Sequence, residues 1–206
     1  MISIRPADMP DREAYLLTVS TITPRPIAWV STISTEGVPN LAPFSFFNAV
    51  SGSPPTVMFS VGQRAGVAKD TLRNVDEVGE FVVNLVDEAH AQAMNLTAGN
   101  WDYGHNEFEV AELEAIPSTD VKPPRVAGVP VAMECKVTQL VPVKDSANVM
   151  VLGQIVRFHV QEDLLLGGGL VDNAKMKLIA RLGGAGYMKT GELFEMQRPS
   201  VQQTRG

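Results

Sequence analysis

Two short stretches of this chain carry residue types that could grip a phosphorylated ligand. Lys69, Asp70 and Thr71 stand ahead of Leu72, Val75 and Val78. That spacing predicts a helix over residues 69–78, closed by Gly79. A helix start leaves its first N–H groups unpaired and carries partial positive charge. A lysine, a capping carboxylate and a hydroxyl placed there can hold an anion. The second stretch is Ala42, Pro43, Phe44, Ser45, Phe46, Phe47 and Asn48, which interleaves aromatic surface with a hydroxyl and an amide. Such a segment can receive the face and edge of a planar ring. Each stretch also has a plain structural reading, the first as an ordinary helix start and the second as the end of a core strand.

Taken together, the two match what a flavin mononucleotide demands. Its phosphate needs N–H groups, hydroxyls and a cation, and its ring needs an apolar face with hydrogen bonds at one edge. The cofactor itself carries the redox chemistry, so no catalytic side chain is required and none is assigned. The histidines do not change this reading. His90, His105 and His159 share no metal-ligand spacing, so no metal is expected. His159 reads as a packed or solvent-facing strand residue and His90 as surface of a helix. His105 lies near Trp101, Asp102, Tyr103 and Glu107, where a lid over the ring and a packed aromatic cluster are both open.

The elements that must position these residues follow from the pattern. Pro24 and Pro26 bracket Arg25, which stiffens the backbone and holds one cation just before a strand. That strand, residues 27–34, carries Trp29, Ser31 and Thr32, turns at Gly37 and pairs with residues 38–44 as a hairpin. Strands are expected over residues 56–61 and 80–86, with a second helix capped by Asp87. Residues 97–129 show no period and read as a packed excursion over one face. Residues 131–143 alternate, with Val131, Met133, Cys135, Val137 and Val141 to one side and Glu134, Lys136 and Thr138 to the other. Residues 149–160 are nearly continuously apolar, which predicts burial on both faces. A last short helix is expected over residues 172–182. With helices missing between most strands, the fold class is mostly β, a barrel with added helices rather than a parallel α/β sheet.

Composition sets the outer bounds. The chain has 206 residues, 45% of them hydrophobic and 19% charged, which suits one globular domain over residues 1–206. Residues 1–20 form a lead-in and residues 197–206 a polar tail. A net charge of −6 with no long basic block excludes a nucleic-acid partner. The lone cysteine, Cys135, excludes an intrachain disulfide and reads as a small buried hydrophobe. No export signal or membrane span is recognised, so the expected compartment is the cytoplasm.

The segments TPRPIAWVST, VPNLAPFSFFNAVS, KDTLRN and GEFVVNL, followed by VKPPRV, PVAMECKV, LGQIVRFHV and RLGGAGY, closely resemble the flavin reductase-like, FMN-binding split-barrel family. That family includes flavoredoxins and proteins like nitrilotriacetate monooxygenase component B. The resemblance spans residues 21–187 and implies a six-stranded antiparallel Greek-key barrel, with FMN (FAD being the alternative) near the interface of a homodimer. It implies that Arg25, Trp29, Ser31 and Thr32 line the flavin, and that residues 42–48 contact its ring edge and ribityl chain. Lys69, Asp70 and Thr71 would then sit at its phosphate. Arg181 and Tyr187 are implied near the site or a dimer contact. The implied activity is an oxidoreductase, an NAD(P)H-dependent flavin reductase supplying reduced FMN to a partner monooxygenase. A departure favours the alternative, an electron-transfer flavoprotein that does not use NAD(P)H directly. Many of the family's two-component reductases carry Gly-Asp-His where this chain has Asp145, Ser146, Ala147 and Asn148.

Overall fold

The computed structural model describes residues 1–64, 67–101 and 104–199. Its centre is one antiparallel sheet of seven strands. They are β1 (Ala28–Ile33), β2 (Pro39–Phe44), β3 (Phe47–Gly52), β4 (Pro55–Val61), β5 (Glu80–Leu85), β6 (Val131–Pro142) and β7 (Val149–Val160). The order across the sheet is β2, β1, β5, β6, β7, β4, β3. β2 and β3 therefore form opposite edges, yet only Ser45 and Phe46 separate them in sequence. The sheet must curl until its edges nearly meet, but no ladder joins β2 to β3 among the described residues. The mostly-β expectation holds, with the barrel left split along that seam.

Alternation in the strands explains the two cores. Residues of one parity point into the curl: Ala28 and Val30 on β1, Val57 and Phe59 on β4, Phe81 and Val83 on β5, Met133 and Cys135 on β6. Gly153 on β7 lets the Phe81 ring lie against the backbone where any side chain would collide with it. The opposite parity forms an outer cluster. Trp29, Leu41, Val82 and Ala132 are covered there by Phe108, Val121, Val126 and Val129. The aperiodic stretch thus packs over one face of the sheet, as expected. Its Asp102 and Tyr103 lie outside the described residues, as do Gly66 in the loop after β4 and the tail beyond residue 199.

Among the described residues, four α-helices decorate the sheet: α1 (Asp11–Thr21), α2 (Asp70–Val78), α3 (Ala91–Thr97) and α4 (Glu107–Val110). The lead-in contains three turns of helix, and only Val19 of α1 is buried. Tyr15, Leu16 and Leu17 are exposed. Gly79 closes α2 with φ of 74°, the left-handed conformation a glycine adopts without strain. Asp87 makes an N-cap type of bond, its carboxylate accepting from the His90 N–H at 3.0 Å, but residues 88–90 form a turn and α3 proper begins at Ala91 with His90 as its N-cap residue.

Three further expectations are corrected. Residues 172–182 are not helical, because the Asp172 carboxylate accepts from the N–H groups of Ala174 and Lys175 and holds a turn. The chain then extends as β8 (Ile179–Arg181), paired with β9 (Tyr187–Lys189). β7 is not buried on both faces. Val151, Gly153 and Ile155 are inside, while Val156 and Phe158 are exposed. On β6, Glu134 points away from the barrel core as expected but is fully buried, under the segment that covers the outer face. No helix among the described residues is long and apolar enough to cross a membrane.

Candidate functional site

A cavity of about 370 Å³ opens where the start of α2 faces the end of β2. Lys69, Asp70 and Thr71 form one wall and Ala42, Pro43 and Phe44 another. Six of the predicted site residues, far apart in sequence, therefore converge. Asn40, Arg73, Thr97, Trp101 and Glu107 are also among the lining residues.

Side-chain hydrogen bonds explain why the two walls keep their spacing. The Asn40 amide donates to Thr32 Oγ1 at 3.0 Å and to Thr71 Oγ1 at 3.1 Å. The Asn74 amide donates to the same Thr32 oxygen at 3.0 Å. All four residues are buried, so these bonds are shielded from water and bolt the first turn of α2 to β1 and β2. Lys69 is the N-cap residue but makes no side-chain capping bond. The first-turn N–H groups of α2 and the exposed ammonium of Lys69 thus lie together at the cavity wall.

The remaining predicted residues do not line this cavity. Arg25 is buried, and its guanidinium donates to the carbonyls of Val19 at 2.5 Å, Ile22 at 2.8 Å and Leu182 at 3.0 Å. It ties the end of α1 to the chain after β8. The Trp29 indole lies in the outer core and donates to Thr97 Oγ1 at 2.8 Å. Ser31 donates to the Pro124 carbonyl at 2.5 Å. Thr32 accepts the two amides already described. These four hold the wall from behind. Phe46 lies in the turn into β3, Phe47 opens that strand and packs on the barrel core, and Asn48 after it is exposed.

Ser45 belongs to a second cavity of about 190 Å³, together with Arg181 and Tyr187. Pro43 and Ala98 line both cavities, so the two adjoin. Arg181 lies with its guanidinium carbon 4.4 Å from the centre of the Tyr187 ring.

Glu107 is the main residue that sequence reasoning missed. It opens the four-residue helix α4, capped by the Asn106 side chain, and is 6% exposed. Its Oε2 accepts from the Leu41 N–H at 2.9 Å, which joins α4 to β2 beside Ala42. Burial pushes its carboxyl above the usual range, and the neighbouring Asp70 adds to the rise. The N–H of Leu41 and the charge of His105 oppose the shift without cancelling it. Asn40 and Thr97 were missed as well. Nothing about them stands out in sequence, whereas Arg73 lies within the KDTLRN segment and could have been picked out there. Trp101, which lines the cavity, stacks on the exposed His105 with centroids 6.3 Å apart.

Comparison with known proteins agrees with this architecture. The chain is 40% identical to nitrilotriacetate monooxygenase component B from Bacillus cereus, whose crystal structure superposes with a TM-score of 0.91, covering 95% of this chain and 98% of that one. The 2-nitrobenzoate 2-nitroreductase of Pseudomonas fluorescens is 31% identical, with a TM-score of 0.87 and coverage of 97% and 98%. An uncharacterized protein of Halalkalibacterium halodurans is 37% identical, over 99% of this chain and 100% of its own length. The flavin reductase like domain family matches residues 20–176. With a fold that agrees and more than half the chain matched, the protein belongs to the flavin reductase like domain family, a family of oxidoreductases.

Proposed function

We propose that this protein binds FMN in the larger cavity and is an NAD(P)H-dependent flavin reductase that passes reduced FMN to a partner monooxygenase. The observation that carries the reading is the meeting of Lys69, Asp70 and Thr71 with Ala42, Pro43 and Phe44 around one cavity. The residues fit the group. Lys69, the Thr71 hydroxyl and the first N–H groups of α2 suit a phosphate. The backbone of residues 42–44, with Ser45 beyond, suits a ring edge. The flavin supplies the electron-transfer chemistry when bound. The chain's part is to neutralise the phosphate, fix the ring against β2 and exclude water from one of its faces. Arg25, Trp29, Ser31 and Thr32 contribute by holding that wall rigid.

The fully exposed run Asn48 to Gly52 on the edge strand β3 supports a homodimer, because an unpaired edge is a ready pairing surface. The protein similar to this chain that is named as a monooxygenase component supports an oxygenase partner. A cytoplasmic location fits both.

A specific observation favours a second reading, an electron-transfer flavoprotein that does not take electrons from nicotinamides. Asp145, Ser146, Ala147 and Asn148 form a tight turn between β6 and β7, closed by the Val143 N–H on the Asn148 carbonyl at 2.9 Å. None of the four lines either cavity. The visible spectrum of the purified protein, with and without NADH or NADPH under anaerobic conditions, separates the readings. Flavin bands that bleach on adding a nicotinamide support the reductase. Bands that persist with both donors but bleach with dithionite support the carrier. A colourless protein that leaves FMN fluorescence unquenched sinks both.

A further inference from the structure

We propose that the smaller cavity is a binding subsite for a small planar aromatic carboxylate, held by Arg181 and seated beside the flavin. This placement rests on the reading of the larger cavity as the flavin site. The subsite's own chemistry does not.

Arg181 is a cation without a carboxylate partner among the described residues. Among the described residues its side chain makes one hydrogen bond, from Nη2 to the Gly184 carbonyl at 2.6 Å. Nε, Nη1 and the second hydrogen of Nη2 are left to donate, so one forked edge of the guanidinium, which Nη2 shares with Nε or with Nη1, stays open to the two oxygens of a carboxylate. The side chain is well placed for this. Its backbone exchanges N–H to carbonyl bonds with Arg25, at 3.0 and 2.9 Å, and pairs with Tyr187 in the β8–β9 ladder. The Tyr187 ring covers the guanidinium from one side at 4.4 Å, which holds its plane and leaves the other side to stack on a flat ligand.

The other walls decide between a simple anion and an organic one. Ile27 and Met94 are buried and apolar, Pro43 adds a flat apolar surface, and Ser45 supplies one hydroxyl. A fully hydrated inorganic anion gains nothing from those apolar walls, whereas an aromatic ring removes them from water. A volume near 190 Å³ is roughly six waters' worth at ~30 Å³ each, enough for one substituted ring and too little for a nucleotide. The shared Pro43 and Ala98 place that ring next to the larger cavity, where a bound substrate would meet the cofactor.

The test is calorimetric titration of the full chain with benzoate, in the presence and absence of saturating FMN, with benzamide and acetate as controls. The expected result is benzoate binding at least roughly tenfold tighter than either control. Binding should weaken by roughly tenfold or more in Arg181→Gln, with Arg181→Lys intermediate because a lysine keeps the charge but not the fork. Ser45→Ala should weaken it by a smaller factor. Thermal melts confirm that each variant is folded, and if Arg181→Gln fails to fold, the benzamide control and Ser45→Ala carry the test. Benzoate binding that is equal in folded Arg181→Gln, or no tighter than benzamide, overturns the proposal. Complete displacement of benzoate by FMN also overturns it, since the small cavity would then be part of the flavin site. If FMN fails to bind while benzoate binds through Arg181, the flavin reading falls and this subsite stands.

Discussion

Glu134 is buried without exposure on the outer face of β6, and its Oε1 lies 2.5 Å from Nε2 of His159 on β7. The same carboxylate accepts from the N–H groups of Thr119 at 2.7 Å and Asp120 at 2.6 Å. One charged side chain therefore fastens the covering segment to the sheet. Burial alone would raise its pKa, but the Thr119 N–H, the His159 contact and the Asp120 N–H outweigh it and hold the carboxyl below the usual range. A carboxyl depressed in the folded state stabilises it above its unfolded pKa, and that contribution drains away as pH falls through the lower folded value. We expect acid unfolding to begin below about pH 4, with Glu134→Gln flattening that part of the stability curve. At neutral pH the variant should lose about 1–3 kcal/mol in urea denaturation, the cost of leaving buried donors poorly matched. A stability profile between about pH 3 and 5 that is the same in variant and parent would dismiss this role.

Lys69 is expected to carry affinity rather than stability. It is exposed, makes no capping bond and stands at the wall of the larger cavity. Lys69→Ala should weaken FMN binding by about 1–3 kcal/mol, the range for losing a charge-assisted hydrogen bond. The thermal midpoint without ligand should hardly move. Quenching of FMN fluorescence reads the affinity, and an unchanged titration curve removes Lys69 from the site.

The contrast between Lys69 and Glu107 explains what could be read from the chain before its fold was known. A helix start declares itself locally, through spacing, a terminating glycine and the residues ahead of it. The same holds for the strand carrying Ala42, Pro43 and Phe44, so the two walls of the cavity were legible. Glu107 reaches the cavity only because residues 97–129 fold back over the sheet, a tertiary event with no period to announce it. Arg25 shows a different relation between sequence and site. Its rigid, cationic setting is real, but the end of α1 supplies carbonyls that consume the guanidinium. The apolar run of β7 misled because length and hydrophobicity do not report which face meets solvent. For residues 172–182, side-chain capture of the backbone by Asp172 overrode helical spacing.

Gly153 offers a test of how closely the barrel interior is packed. A methyl group there would collide with the ring edge of Phe81, which is itself fully buried and wedged against Phe59 at 5.2 Å between centroids. Neither ring has free volume to retreat into. Gly153→Ala should cost about 1–3 kcal/mol by overpacking, and the double variant Gly153→Ala with Phe81→Leu should recover part of that loss. Denaturant midpoints for the four combinations measure the coupling, and strictly additive effects would contradict the contact.

Glu107 gives the sharpest prediction about pH, because its shift runs opposite to that of Glu134. Its carboxyl is raised by burial, so the folded protein holds a proton there that the unfolded chain has already released. Stability from this group is therefore greatest below its unfolded pKa and is lost as pH rises through the raised folded value. The groups facing it are Asp70 on α2, which pushes the pKa up, and His105 before α4, which pulls it down. Lys69 and Arg73 share the cavity with it. Glu107→Gln keeps an oxygen for the Leu41 N–H and removes the charge. Relative to the parent, its thermal midpoint should rise as pH goes up through the raised folded value. An anionic ligand in the same cavity should gain in parallel, so FMN affinity should improve in the variant above that value and change little below it. A stability difference that does not vary with pH would mean that Glu107 does not titrate in the folded protein as described, and the predicted gain in affinity would fail with it.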